Sequence, residues 1–106
     1  MKQMDKIEQK ICDIIDAHRD ELIAFGEDLW THAELGFQEF RTAEKFAEKM
    51  KGLGLRTQEG LAVTGVKSYL KDDAHGPTVC LMGEFDGLPI PTHAYANPET
   101  GAAHCC

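Results

Sequence analysis

Thr78-Val79-Cys80-Leu81-Met82-Gly83-Glu84-Phe85-Asp86-Gly87 is the stretch on which the reading of this chain turns. The run from Thr78 to Met82 is almost continuously apolar, as in a strand buried on both faces of an α/β sheet. Gly83 ends the run, and the carboxylates of Glu84 and Asp86 follow at once. Ligands in α/β folds gather at the carboxyl ends of strands. Side chains two residues apart also share one side of an extended backbone. Such a pair can bind a metal, orient a metal ligand, or act as acid and base. The plain alternative is a pair of solvated turn carboxylates.

Upstream of this strand the apolar spacing is helical. Met4, Ile7, Ile11, Ile14, Ile15, Leu22, Ile23 and Leu29, with His18 in the series, recur in steps that predict one long first helix with one buried stripe. His32-Ala33-Glu34-Leu35-Gly36 reads as a turn. Phe37, Phe40, Ala43, Phe46, Ala47 and Met50 predict a second helix ending at Gly52-Leu53-Gly54. Leu55–Glu59 and Val63–Leu70 are strand candidates, and Asp72–Pro77 is a turn. The order helix, helix, strand, strand, strand, loop gives an α/β class, with two N-terminal helices packed on the first strands of a mixed sheet. A strand of central character with nothing after it to enclose it marks an incomplete part of a larger domain.

Downstream, the chain runs through Gly101-Ala102-Ala103-His104-Cys105-Cys106. His104 and Cys106 could meet one metal from an extended loop, as nitrogen and sulfur ligands suited to zinc. A frayed tail or a strained Cys105–Cys106 vicinal disulfide are the structural alternatives, and a thiol redox role is a third. Cys12 and Cys80 sit in helical and strand patterns as small hydrophobes, and the cysteine spacing does not suggest a secreted disulfide framework.

Among 106 residues, 18 acidic side chains face 11 basic ones for a net charge of −7. That balance disfavours nucleic acid and anionic lipid as partners. The sequence holds no apolar run of membrane-spanning length, and its charged start is unlike a signal peptide, so the expected compartment is the cytoplasm.

The stretch from His32-Ala33-Glu34-Leu35-Gly36-Phe37 to Leu55 resembles the "PELGF-EE…TA" signature of metal-dependent N-acyl-amino-acid amidohydrolases. This metallopeptidase superfamily includes hippurate hydrolase, auxin-conjugate hydrolases and aminobenzoyl-glutamate hydrolase. Thr64-Gly65-Val66 is similar to its "TGV" strand, and Gly76-Pro77-Thr78-Val79 to its "GPTV" strand entry. Phe85-Asp86-Gly87-Leu88-Pro89-Ile90 is similar to "MDALPI", and Gly101–Cys106 to "G-x-x-H-x-C". Ala33 stands where the family usually has proline, and Met82-Gly83-Glu84 where "R-A-D" is common. The "GE-[FY]-D-[AG]-LP" form is nearest to the aminobenzoyl-glutamate side.

The resemblance implies that residues 1–106 form the N-terminal segment of a zinc-peptidase-like catalytic domain, with the rest of that domain and the lid or dimerisation domain downstream. It implies two divalent ions, manganese or zinc, in the full-length enzyme, which cleaves the amide bond of a small N-acyl or N-aroyl amino acid, and a homo-oligomer. Cys106 takes the place of a family metal ligand, Asp86 that of a supporting aspartate beside the metals, and Glu84 and His104 lie next to the site. The 106 residues alone are expected to be inactive. The alternative is a truncated, non-catalytic module that self-associates or binds a partner through an exposed sheet edge, with apolar surface near Val79, Leu81 and Leu88.

Overall fold

Residues 4–71 and 75–105 are described by the computed structural model of the chain. Its first helix, α1 (Lys6–Ala17), begins where Asp5 closes a capping box. The Asp5 carboxylate accepts from the N–H groups of Ile7 and Glu8, both at 2.8 Å, and Glu8 accepts in return from the Asp5 N–H at 2.8 Å. The exchange satisfies donors that a first helical turn leaves without partners.

The single long helix expected from the spacing is bent in two. His18 (φ −103°, ψ 11°) ends α1, and α2 (Arg19–Thr31) starts directly after it. Asp20 and Glu21 favour a new helix start at this point, because a helix N-terminus attracts negative charge. Glu21 also lies 3.3 Å from His18 Nδ1. The stripe expected to be buried on α1 is instead open: the helix has no buried residue, and Ile7 is 73% exposed. No element among the described residues lies against it closely enough to cover it.

α3 (Phe40–Gly52) starts later than the apolar spacing predicts. Phe37 has φ 61° and sits in a turn closed by Gln38 N–H on the Leu35 carbonyl at 2.9 Å. A residue with that left-handed backbone cannot belong to a right-handed helix. The far end of α3 is as expected in kind. Leu55 N–H reaches the Met50 carbonyl at 3.2 Å and Gly54 N–H the Lys51 carbonyl at 2.9 Å, with Gly54 at φ 77°. This is a Schellman stop, which needs a left-handed residue at the position glycine fills.

The strands β1 (Arg56–Leu61) and β2 (Gly65–Tyr69) pair antiparallel, with Arg56 opposite Tyr69 and a bulge between Gln58 and Leu61. Val63 and Thr64, expected in the second strand, form its turn; Val63 has φ 82°. α3 packs across this hairpin and is the helix that covers it. α2 is tied alongside α3 by Asp28–Arg41, by Glu21–Lys49, and by Lys49 Nζ 5.5 Å above the Phe25 ring.

Thr78–Met82 pairs with no strand among the described residues, so the expected third strand is not formed. A strand exists only where a neighbour completes its ladder. Its side chains stand in the open, Val79 at 86% and Leu81 at 97% exposed. A second small antiparallel sheet joins β3 (Leu88–Pro89) to β4 (Ala102–Ala103), and one parallel bridge links Leu35 to Gly87. The mixed α/β class therefore holds, as three helices with two two-stranded antiparallel sheets. No described helix is long and apolar enough to cross a membrane.

Candidate functional site

The turn at residues 32–36 is the point where the remote parts of the chain meet. Ala33 is fully buried beside Ala102 and Ala103. Its carbonyl accepts from Asn97 Nδ2 at 3.0 Å and from Thr100 Oγ1 at 2.6 Å. The Glu34 carbonyl accepts from Gly87 N–H at 2.7 Å. Gly87 has no room for a side chain: a Cβ there would lie 3.1 Å from the Ala103 carbonyl oxygen and 3.2 Å from the Ala33 Cβ.

The Glu34 side chain turns the other way, onto the start of α3. It accepts from Arg41 N–H at 3.1 Å, Thr42 N–H at 2.7 Å and Thr42 Oγ1 at 2.7 Å. Glu39, the residue at the N-cap position, makes no such cap and instead accepts from Thr64 Oγ1 at 2.6 Å. Burial works to raise the Glu39 carboxyl, but the Thr64 hydroxyl and nearby backbone N–H groups outweigh it and hold it below its ordinary value. Asp28 receives Arg41 Nη2 on both oxygens, at 2.8 and 3.0 Å. That guanidinium holds the Asp28 carboxyl below its ordinary range.

This knot places the expected site residues. Phe85 packs its ring 5.2 Å from Phe46 of α3, anchoring the loop that carries Glu84 and Asp86. Both carboxylates are exposed, and Asp86 lies over Gly36, whose Cβ position is 4.0 Å from Asp86 Oδ2. The register Leu88↔Ala103 then sets Asp86–Gly87 and His104–Cys105 at one end of the β3–β4 pair. His104 and Cys105 are half-buried, and the His104 carbonyl accepts from Trp30 Nε1 at 3.1 Å. Cys106, the expected metal ligand, lies outside the described residues.

Among the described residues no three His, Cys, Asp or Glu side chains converge to hold a metal ion. The described donors alone do not complete a metal site. What the fold achieves is to hold a carboxylate loop beside a histidine–cysteine segment.

The aromatic wall behind that segment was not evident from the sequence. Trp30 and Tyr95 stack with centroids 4.6 Å apart, and His93 lies 6.0 Å from Tyr95. The nearest signal was Asn97-Pro98-Glu99-Thr100-Gly101, a turn-forming run in which Asn97 Oδ1 accepts from Glu99 N–H at 3.0 Å.

No family model and no solved structure matches the chain. Curated proteins do. A Bacillus subtilis protein named as an amidohydrolase, YhaA, is 29% identical over 94% of this chain and 26% of its own length. The N-acyl-L-amino acid amidohydrolase of Geobacillus stearothermophilus is 29% identical over 92% of this chain and 27% of its own. The hippurate hydrolase of Campylobacter jejuni is 32% identical over 69% of this chain and 20% of its own. The chain thus spans a fifth to about a quarter of the length of these relatives, matching their N-terminal part. On these matches the chain belongs to the amidohydrolase family as an N-terminal segment of it.

Proposed function

We propose that this chain is part of an enzyme that hydrolyses the amide bond of small N-acyl or N-aroyl amino acids with the help of divalent manganese or zinc. The observation that carries the reading is the β3–β4 register, which sets the Asp86 loop beside His104–Cys105. Relatives named for N-acyl-L-amino acids and for hippurate, an N-aroyl amino acid, support the substrate class. In this reading a thiolate at Cys106 ligates the metal and Asp86 supports the site from beside it, while Glu84 and His104 flank them. When bound, the metal supplies an activated water and polarises the amide carbonyl. The chain's own residues hold the loop and the ligand-bearing segment at one end of the small sheet. The 106 residues alone are inactive, because a thiolate with one imidazole cannot hold a catalytic ion pair.

A second reading is favoured by Leu81, 97% exposed in a segment of strand-like sequence without a ladder: a non-catalytic module that associates through that segment. One experiment separates the two. The chain, and a polypeptide continuing past Cys106 into the sequence of a relative, are each supplied with manganese or zinc and an N-acyl amino acid. Hydrolysis by the longer polypeptide that is lost in Cys106→Ala, with none by the chain, is the expected result. A longer polypeptide that binds no metal and cleaves nothing leaves the module reading in its place.

A further inference from the structure

The rings of Trp30, Tyr95 and His93 form a contiguous surface next to His104, and the knot described above does not account for it. Polar contacts hold the Trp30 and His93 rings. Trp30 Nε1–H is spent on the His104 carbonyl at 3.1 Å, and the His93 ring accepts from Tyr95 N–H at 3.2 Å through Nδ1. Trp30 and Tyr95 nonetheless remain 36% and 58% exposed. With the indole N–H satisfied, the pair presents ring surface to solvent together with the Tyr95 hydroxyl. The two rings touch each other, tilted by 41° with centroids 4.6 Å apart, and their outward faces and edges can take a third flat ring by offset or edge-on stacking. This surface also differs from the open stripe of α1 and from Thr78–Met82. It is built of rings rather than aliphatic chains, and its indole is bonded to the segment that carries the candidate site.

We propose that Trp30, Tyr95 and His93 form the subsite for the aryl group of an N-aroyl amino acid, so that they set the preference for aromatic over aliphatic acyl groups. The inference rests on the amidohydrolase reading for its ligand class. Trp30 positions the subsite by tying it to His104, and Tyr95 supplies the ring that the ligand stacks on.

Trp30 is the one tryptophan in the sequence, so its emission reports on this surface directly. The chain is titrated with N-benzoylglycine and with N-acetylglycine. A saturable change with the benzoyl compound is expected, with half-saturation at least about fivefold to tenfold lower than for the acetyl compound, the size of one aromatic stacking contact. Tyr95→Leu removes most of that preference while Tyr95→Phe keeps it. Equal half-saturation for both ligands overturns the proposal. So do an unchanged preference in Tyr95→Leu, no response to the benzoyl compound, and a response that persists in urea after the helical circular dichroism is lost.

The same variants in a catalytically complete polypeptide separate this inference from the reading beneath it. Hydrolysis whose benzoyl-over-acetyl preference is unaffected by Tyr95→Leu overturns the subsite and leaves the amidohydrolase. Saturable, benzoyl-selective binding at Trp30 without hydrolysis of either compound supports the subsite and removes the amidohydrolase.

Discussion

Glu34 is the residue whose role reaches furthest from its place in the sequence. Its carboxylate caps α3 from outside the helix, taking the N–H groups of Arg41 and Thr42 and the Thr42 hydroxyl, while its backbone carbonyl holds Gly87. Thr42 is buried, so removing its acceptor leaves donors without water to turn to. Glu34→Ala is therefore expected to destabilise the fold by about 2–3 kcal/mol, combining a lost helix cap with unsatisfied buried donors. A free energy of unfolding in urea within about 0.5 kcal/mol of the unsubstituted chain would show that the cap is dispensable. The sequence marks Glu34 as part of a motif, but its partners lie seven and eight residues on, in a helix whose start Phe37 displaces. Local spacing does not carry that information.

Asp28 offers a second test at this scale, through pH. Paired with Arg41, its carboxyl is held below the ordinary value of 3.8. A carboxyl that is more acidic in the folded than in the unfolded chain stabilises the fold fully above the ordinary value, and loses that contribution as pH falls below it through the folded value. The gap in unfolding midpoint between the unsubstituted chain and Asp28→Asn should be constant from pH 7 down to about pH 5 and close below about pH 4. A gap that stays constant into strong acid would mean that the pair contributes nothing through its charge.

Among the elements, the helices were legible because their apolar period is local, and the hairpin because β-branched and aromatic residues alternate with polar ones in its second strand. What was not legible depended on partners. The long first helix breaks at His18, where no glycine or proline announces it, and Thr78–Met82 has the composition of a strand but lacks a ladder. The end of α3 was readable because its stop is chemical. Gly54 sits at φ 77° with nothing within 4 Å of where a Cβ would be, so a side chain there meets strain in the backbone alone. Gly54→Ala should cost about 1–2 kcal/mol through that left-handed conformation, and Gly54→Asn less. Equal unfolding midpoints for glycine, alanine and asparagine would rule out the Schellman geometry as the source of the stop. The Asp86 and His104 ends of the candidate site were legible as motifs. Their alignment was not, because it follows from the two-residue pairing of β3 with β4.

At the scale of the whole molecule, surface area shows what the apolar pattern implied. The chain exposes 8697 Å², against about 5,900 Å² for a compact monomer of 11.8 kDa. Its radius of gyration is 16.6 Å, where a compact chain of this length has about 13 Å. Among the described residues the fully buried hydrophobic side chains are alanines, while Ile7, Ile11, Val79, Leu81 and Met82 stand in solvent. The excess area is larger than the roughly 800 Å² per partner that a standard stable interface buries. It includes the apolar segment Thr78–Met82, whose strand-like sequence can pair with another chain. The chain on its own is therefore expected to bind a hydrophobic dye and to sediment above 11.8 kDa, with mass rising with concentration. The net charge of −7 opposes association through long-range repulsion, so added salt, by screening it, should strengthen the effect. Val79→Lys with Leu81→Lys should weaken both dye binding and association while leaving the helical circular dichroism unchanged, since neither side chain contributes to a helix or to the buried knot around Ala33. A monodisperse species at the monomer mass that binds no dye, at low and high salt alike, would mean that this surface is covered within a single chain.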